Sequence, residues 1–542
     1  MTTKKSTKNK LVSIKKSPKP LGKPMKGRDV IVKALGNEGV KVIFGYPGGT
    51  SMEIHQGLTL APKIRMVLPR HEQGGAFAAG GYARSTGEVG VCMATSGPGA
   101  TNLITGIIDA KMDSIPIVAI TGQVASTLLG SDAFQETDIM GATFPLVKHS
   151  YMIQNVAEIP QVIHNAFHIA RTGRPGPVLV DIPKNIQQQE GIADFNVTFD
   201  CPSYRPNLKP SVLQCKKAAH AIQTAKRPII YAGGGIVSSG ASQELRALVK
   251  KTGIPVTTTA MGLGAFPSND PLSLRMLGMH GAVYANIAIN HADLVIAAGV
   301  RFDDRVTGKL AEFCKDAQII HIDIDPTEIN KNILVDIPIQ GDVKQALKII
   351  HGYVEPKKDI KPWIKQLNDW KKEFPLEFKP KKGEIVPQSV ISEVNKLADD
   401  DAIFSVGVGQ HQMWSAQFLD FNEPNNWLCS SGLGAMGFGL PAAMGAQVAF
   451  PNRQVINIEG DGSFLMNIQE LQTLKIENIP VKNIILNNAH LGMVAQWEDR
   501  FYKSIRGHTF IGDANFAEVA HAFGIKSESI SDPKDIVPAL KR

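Results

Sequence analysis

Short apolar runs that stop in polar or glycine-rich turns recur along this chain, with amphipathic or small-residue stretches between them. That alternation predicts buried strands joined by helices, and so parallel sheets of the α/β class. The sharpest case lies late in the chain. Val455-Ile456-Asn457-Ile458 leads to Gly460-Asp461-Gly462-Ser463, and Asn483-Ile484-Ile485-Leu486 leads to Asn487-Asn488. Each run reads as a buried strand. In a parallel sheet both turns fall at the carboxyl edge, where open α/β sheets bind ligands.

Earlier runs read the same way. Val42 to Gly45 precedes Tyr46-Pro47-Gly48-Gly49, a short strand ends at Val67-Leu68, and Glu72 opens a helix of small residues. Gly90 to Thr95 leads into Ser96-Gly97-Pro98-Gly99-Ala100-Thr101-Asn102, Ile115 to Thr121 is a further strand, and Val178 to Ile182 closes a first domain. Pro228 to Ala232, Leu294 to Ala298 and Ile319 to Ile324 each meet a glycine or acidic turn, which suggests a nucleotide-binding second domain. Residues 194–210 and the charged stretch 357–385 read as connections. The expected organisation is a basic extension over 1–27, then α/β domains over 28–193, 211–356 and 386–542. Each is expected to hold a central, mostly parallel sheet flanked by helices.

Composition sharpens this picture. A chain of 542 residues exceeds what one core can serve. With 43% hydrophobic and 20% charged residues and 50 glycines, it fits a soluble α/β protein, and no apolar run is long enough to cross a bilayer. The net charge of +8 would suit a nucleic-acid partner, but residues 1–28 hold nine lysines and Arg28 with no acid. Without those ten, 48 basic side chains face 50 acidic ones, so the folded body is near neutral and no nucleic-acid partner is expected. The tail is expected to be disordered. It lacks the apolar core of a secretory signal and the arginines of a mitochondrial presequence, so a cytoplasmic location is expected, with the plastid as the alternative. Five scattered cysteines without a CxxC argue against a disulfide framework or structural zinc.

The paired turns suggest a chemistry. Asp461 offers a carboxylate and Asn488 an amide oxygen to one hard cation, and Mg²⁺ shared with a substrate phosphate suits that pair. The spacing resembles the diphosphate-binding motif of thiamine diphosphate (ThDP) enzymes. Two ordinary turns after two strands fit the same residues.

Longer strings make the resemblance specific. "YPGG", "LPRHEQGG", "ATSGPGATNL", "DAFQET", "RPGPVLVDIPK", "RFDDRVTGKL" and "LGMVAQWEDRFYK" follow in order. With them the chain resembles the large catalytic subunit of acetohydroxyacid synthase (acetolactate synthase), from Gly27 to the end. That resemblance implies ThDP, Mg²⁺ and FAD as cofactors. It makes Glu72 the carboxylate that faces the aminopyrimidine of ThDP and promotes loss of the thiazolium C2 proton. A carboxylate at a helix start also complements the helix dipole with no catalytic part. Gly49, Val408, Gly409, Gln410, His411, Gly434, Met436, Gly462 and Ser463 match contacts to the cofactor. Met493 matches the wedge that bends it, although a Met there also fits core packing. The carbonyl of His490 joins Asp461 and Asn488 on the metal.

The same resemblance assigns the central domain. Arg174, Gly233, Gly234, Gly235, Thr259, Met261, Gly278, Met279, His280, Arg301, Asp303, Val306, Asp323, Ile324, Asp342 and Val343 match positions that hold FAD. As a bare string, "RFDDR" is equally a charged loop with ordinary ion pairs. The GxGxxG-like string at Gly437 follows no strand and carries Pro441 in its turn, so it is discounted. The flavin would be structural, because the reaction transfers no net electrons to it.

Phe134, Gln135, Lys184, Arg305 and Trp497 match the substrate channel. The implied reaction is a transfer. Pyruvate is decarboxylated, and its two-carbon unit joins pyruvate or 2-ketobutyrate to give 2-acetolactate or 2-aceto-2-hydroxybutyrate. This is the first common step toward valine, leucine and isoleucine. Glu72 would come from one chain and Asp461 from its partner, so a homodimer or homotetramer is implied, with a separate regulatory small subunit. A flavin-dependent pyruvate oxidase and a simple 2-ketoacid decarboxylase share this architecture. Thr50 and Ala125 depart from the alanine and proline common at the family's herbicide-binding channel. Family members also continue beyond the position of Arg542 with a strand and a tail that helps cover the active site.

Overall fold

The computed structural model describes residues 22–357 and 359–542. Three open sheets carry it, and within each the neighbouring strands run parallel. The first has the spatial order Arg65–Val67, Val42–Gly45, Gly90–Ala94, Ile117–Gln123, Val178–Pro183, His149–Met152. The central sheet runs Ser273–Met276, Val256–Thr258, Pro228–Ala232, Leu294–Ala298, Gln318–Asp323, Ile337–Gln340. The last runs Trp427–Leu428, Ile403–Val406, Val455–Gly460, Lys482–Leu486.

Parallel sheets need both faces covered, so their inner strands read as unbroken apolar runs. Pro228–Ala232 and Leu294–Ala298 are buried throughout, and both begin and end where the apolar pattern does. The central sheet holds six strands, whereas three stand out as apolar runs. Val256–Thr258 is rich in threonine and Ile337–Gln340 contains Pro338, so their burial comes from position rather than composition.

Three further expectations need correction. Lys482–Leu486, read as a buried strand, is half-exposed, because it is an edge strand with one neighbour, Val455–Gly460. The charged stretch read as a connection contains the helix Lys361–Glu373, whose Trp363 and Leu367 are buried in the core of the central domain. Finally, the basic extension is ordered at its end. Met25–Lys26 pairs with Glu190–Gly191, and Gly27 starts a helix against the backbone of Ile186. The rest of that expectation, residues 1–21, lies outside the described residues.

The first and last domains meet through two helices, Glu72–Thr86 and Gly439–Ala449. Both are rich in small residues, which lets their backbones touch. A Cβ on Gly81 would lie 2.2 Å from Ala442 O, and one on Gly445 would lie 1.9 Å from Ala78 O. Overpacking of that kind costs about 1–3 kcal/mol or more. The small-residue string after Glu72 is therefore a packing surface as well as a candidate site.

Candidate active site

The last domain gathers one cleft at the carboxyl edge of its sheet. Asp461 follows the strand Val455–Gly460, and the Asn487-Asn488 turn follows Lys482–Leu486. Asp461 Oδ1 accepts the N–H of Gly462 at 2.9 Å, and Oδ2 accepts the N–H of Asn488 at 3.2 Å. His490 N–H donates to Asn488 Oδ1 at 3.0 Å. The two turns are thus tied together, with Asp461 buried at 3% exposure. Val408, Gly409, Gln410, His411, Gly434 and Met436 line the same cleft, as do Gly462, Ser463, His490 and Met493.

The donor set fits a hard cation. Among the described residues no three His, Cys, Asp or Glu side chains cluster as a soft or high-charge metal site would need. One carboxylate and one amide oxygen remain here, the pattern of Mg²⁺ shared with a phosphate. The helix Gln410–Phe418 opens at the cleft after Gly407-Val408-Gly409, so its free N–H groups suit a diphosphate.

Beneath this edge, burial pushes the His411 imidazole down to about 3 and the Glu459 carboxyl up to about 8. Both are neutral at pH 7. Their contact, 3.8 Å from Nε2 to Oε2, is therefore not an ion pair.

The first domain assembles a second edge. Gly49, Glu72, Gln135 and Lys184 each follow a strand of one parallel sheet, at its carboxyl end. Glu72 is the first residue of its helix and half-buried, and Asn102 Nδ2 donates to its Oε2 at 3.0 Å. Gly99 lies beside the other oxygen, where a Cβ would stand 3.2 Å away. The Gln135 backbone rests on Gly97, and Thr50 beside Gly49 hydrogen-bonds Thr95. Lys184 opens the short helix Lys184–Gln188. None of the residues lining the Asp461 cleft comes from this domain. The structure thus collects the diphosphate and metal candidates in one place and Glu72 in another.

The central domain supplies a third edge. Its first strand, Pro228–Ala232, lies between the second and the fourth, so the strand order reverses there and a crevice opens at the carboxyl ends. Gly233, Gly234 and Gly235 follow the first strand at that point. A Cβ on Gly233 would lie 2.2 Å from Gly299 O, and one on Gly235 2.6 Å from Gly299 Cα. Bare backbone therefore lines the crevice, which suits close approach of a dinucleotide pyrophosphate. Met261 packs on Gly234, and Val306 lies against Gly278.

Other candidates ring the same edge. Thr259, Asp303 and Asp342 accept local backbone N–H groups, the last at the start of the helix Val343–Tyr353. Arg301 follows the fourth strand, and Met279 N–H donates to Arg305 O at 2.7 Å. The His280 carbonyl accepts from Gln417 of the last domain at 2.7 Å. Asp323 ends the fifth strand, before Ile324, and burial pushes its carboxyl up to about 6. Arg174 reaches this edge from the first domain, where it pairs with Glu328 at 2.7 Å and Asp325 at 3.1 Å.

Three substrate candidates present exposed side chains. Trp497 is 42% exposed on the helix Gly492–Phe501, and the Arg305 side chain is 57% exposed. Phe134 is 88% exposed. Asn102, Asp113, Glu459 and Glu470 bind these edges without a signal of their own. Asn102 ends the recognisable string Ser96 to Asn102, of which Pro98–Asn102 forms a short helix, but nothing near the acids in sequence identifies their partners.

Family comparison agrees with this layout. Residues 25–142 match the N-terminal TPP binding domain of thiamine pyrophosphate enzymes, 215–350 the central domain, and 407–542 the C-terminal TPP binding domain. The chain is 52% identical over 533 residues to acetolactate synthase 3, chloroplastic, of Brassica napus, covering 96% of this chain and 81% of that one. It is 52% identical over 533 residues to acetolactate synthase, chloroplastic, of Arabidopsis thaliana, covering 96% and 79%. Acetolactate synthase 1, chloroplastic, of Zea mays is 52% identical over 534 residues, covering 96% and 83%.

Proposed function

Because this chain belongs to the acetolactate synthase family of thiamine pyrophosphate enzymes, we propose that it decarboxylates pyruvate and transfers the two-carbon unit to pyruvate or 2-ketobutyrate. The products are 2-acetolactate and 2-aceto-2-hydroxybutyrate, at the first common step of branched-chain amino acid synthesis. The tie between Asp461 and Asn488 at one sheet edge is the observation that carries this reading, since it builds an oxygen-ligand site beside a phosphate-ready helix start.

When bound, ThDP supplies a carbanion at its thiazolium C2 and accepts electrons as CO₂ leaves. The chain does the rest. Asp461, Asn488 and the His490 carbonyl would hold Mg²⁺, with Gly409, Gln410, His411, Gly462 and Ser463 around the diphosphate. Met436 and Met493 would hold the pyrimidine and its bent conformer. Glu72 exchanges a proton with the pyrimidine ring nitrogen, held in place by Asn102. Lys184 and Arg305 offer cations to the ketoacid carboxylate, and Arg does so as a bidentate fork. Gln135 and Trp497 border the second ketoacid. The central crevice, from Gly233 to Val343 and with Arg174 from the first domain, would hold FAD in a structural role.

A second copy completes the site. Among the described residues the first domain lines no part of the Asp461 cleft, which supports an acid supplied to the cofactor by a partner chain. Exposed Leu128, Leu129, Phe134 and Phe144 fit a surface that such a partner covers. The functional unit is a homodimer or homotetramer, with a regulatory small subunit. No helix of the described residues is long and apolar enough to cross a membrane. The relatives are named chloroplastic, which supports a plastid location over a cytoplasmic one.

The test is an assay of the purified full chain for acetolactate, omitting ThDP, Mg²⁺ and FAD in turn. Acetolactate with all three, lost when ThDP or Mg²⁺ is withheld, is expected. Free acetaldehyde would point to a simple decarboxylase. Bleaching of the flavin by pyruvate, coupled to turnover, would point to an oxidase.

A further inference from the structure

We propose that two buried carboxylates, Glu470 and Asp113, are reciprocal positioning residues, each reaching from one cofactor-edge domain to hold the turn that presents the other domain's cofactor-facing residue. Glu470 would set Glu72, and Asp113 would set Met436. The proposal rests on the roles given to Glu72 and Met436 above.

Glu470 begins the helix Glu470–Glu477 of the last domain and is fully buried. Its carboxylate crosses to the first domain. It accepts the peptide N–H of Arg70 at 2.9 and 3.1 Å and that of His71 at 3.1 Å. These are the two peptide groups directly before Glu72, at the start of the helix Glu72–Thr86. Thr473 Oγ1 donates to the same carboxylate at 2.8 Å. The Arg70 guanidinium turns aside to Leu68 O at 2.7 Å, so peptide groups and a hydroxyl hold this acid rather than a salt bridge. Gly74 makes room, since a Cβ there would stand 2.5 Å from Glu470 Oε1.

Asp113 repeats the arrangement with the domains exchanged. It ends the helix Ile104–Asp113 of the first domain, with its side chain buried. Its carboxylate accepts the N–H of Ser431 at 3.0 Å and of Gly432 at 2.7 Å. Those two peptides open the turn that leads to Gly434 and Met436, and Ser430 Oγ holds the same turn through Ala435 N–H at 2.9 Å. A Cβ on Gly432 would stand 2.9 Å from Asp113 Oδ1. Arg84, shared with Asp109, completes the shell at 2.8 Å.

Domain adhesion alone does not call for these acids. The Gly81 and Gly445 helix contact already joins the domains through apolar surface. A buried carboxylate is costly unless fully hydrogen-bonded, and apolar residues of like size serve adhesion as well or better. Hydrogen bonds from successive peptide N–H groups to one buried carboxyl add direction and position. Position matters here, because a displacement of about 1 Å at a reacting group can cost a hundredfold in rate.

The experiment compares the full wild-type chain with Glu470→Gln, Asp113→Asn and Gly74→Ala. Without cofactors, Glu470→Gln should speed amide exchange at Arg70 and His71 by about tenfold or more and spare Ser431 and Gly432, and Asp113→Asn should do the reverse. With ThDP and Mg²⁺, Glu470→Gln should slow both kcat and exchange of the cofactor C2 proton by roughly ten- to a hundredfold. Its pyruvate KM and ThDP affinity should stay near wild type. Asp113→Asn should weaken ThDP binding instead. Gly74→Ala displaces the Glu470 carboxylate without removing it and should follow Glu470→Gln; it decides the matter if Glu470→Gln does not fold. Wild-type C2 exchange in both Glu470→Gln and Gly74→Ala, or unchanged amide exchange at residues 70–71, would overturn the proposal. A wild-type chain that makes no acetolactate would overturn the functional reading instead, with amide exchange still reporting the clamps.

Discussion

Asn102 donates its side-chain amide to Glu72 Oε2 across 3.0 Å, joining the short helix Pro98–Asn102 after one strand to the helix start after another. The second carboxylate oxygen lies beside Gly99, where a Cβ would stand 3.2 Å away. Among the described residues only the first of these oxygens accepts a hydrogen bond, which suits a group that exchanges a proton with a ligand.

Glu72→Gln keeps the shape and an acceptor for Asn102 but removes the exchangeable proton. ThDP binding should stay close to wild type while turnover falls by roughly two to four powers of ten. Steady-state acetolactate formation, beside a ThDP titration, reads both quantities. Near wild-type turnover would remove Glu72 from its role.

Asp461→Asn keeps the reach to Asn488 N–H and removes a negative charge from the proposed metal site. Apparent Mg²⁺ affinity should fall by about tenfold or more, which is about 1.4 kcal/mol. High Mg²⁺ should restore part of the ThDP binding. An unchanged Mg²⁺ titration would place the metal elsewhere.

Much of this architecture is legible in the chain because parallel strands bury both faces. Pro228–Ala232 and Leu294–Ala298 stand out for that reason, and the Asp461 and Asn488 turns follow apolar runs. Strands buried by position alone, such as Val256–Thr258, carry no comparable pattern. Nor does edge exposure: Lys482–Leu486 looks as apolar as an inner strand. Nor is there a local pattern for contacts as distant as those of Glu470 with Arg70 and His71, 400 and 399 residues away. Trp363 shows the opposite failure, since the charges around it hide one buried helix face.

The central crevice, proposed to hold FAD, gives a separate prediction. A methyl group on Gly235 would meet Gly299 Cα at 2.6 Å, so Gly235→Ala must push the short helix Gly234–Ser238 away from the turn after the fourth strand. Flavin absorbance per purified chain should drop sharply, while ThDP still binds the separate edge in the last domain. Full flavin content in Gly235→Ala would move the FAD site away from this crevice.

The Trp497 indole is exposed on its helix, and the proposed function sets it against the second ketoacid. One methylene in an apolar pocket is worth about 1–3 kcal/mol, enough to favour 2-ketobutyrate over pyruvate. Trp497→Leu should erase that preference, seen as the product ratio when both ketoacids compete. An unchanged ratio would assign the preference to other residues.

The last prediction concerns pH. Burial raises the Glu470 carboxyl from 4.5 to about 7, against its bonds to Thr473, Arg70 and His71 and the nearby Arg70 charge. The folded chain therefore binds this proton more tightly than the unfolded one. Its contribution to stability is fully present below about 4.5 and is lost as pH rises through about 7. Glu470→Gln cannot titrate and lacks that dependence. The melting temperature of the wild type should thus exceed that of Glu470→Gln most at about pH 5, and the gap should narrow toward about pH 8. Paired melts in matched buffers measure it. A gap that widened with pH would mean that Glu470 is a carboxylate throughout, more strongly held by its two peptide donors than burial opposes.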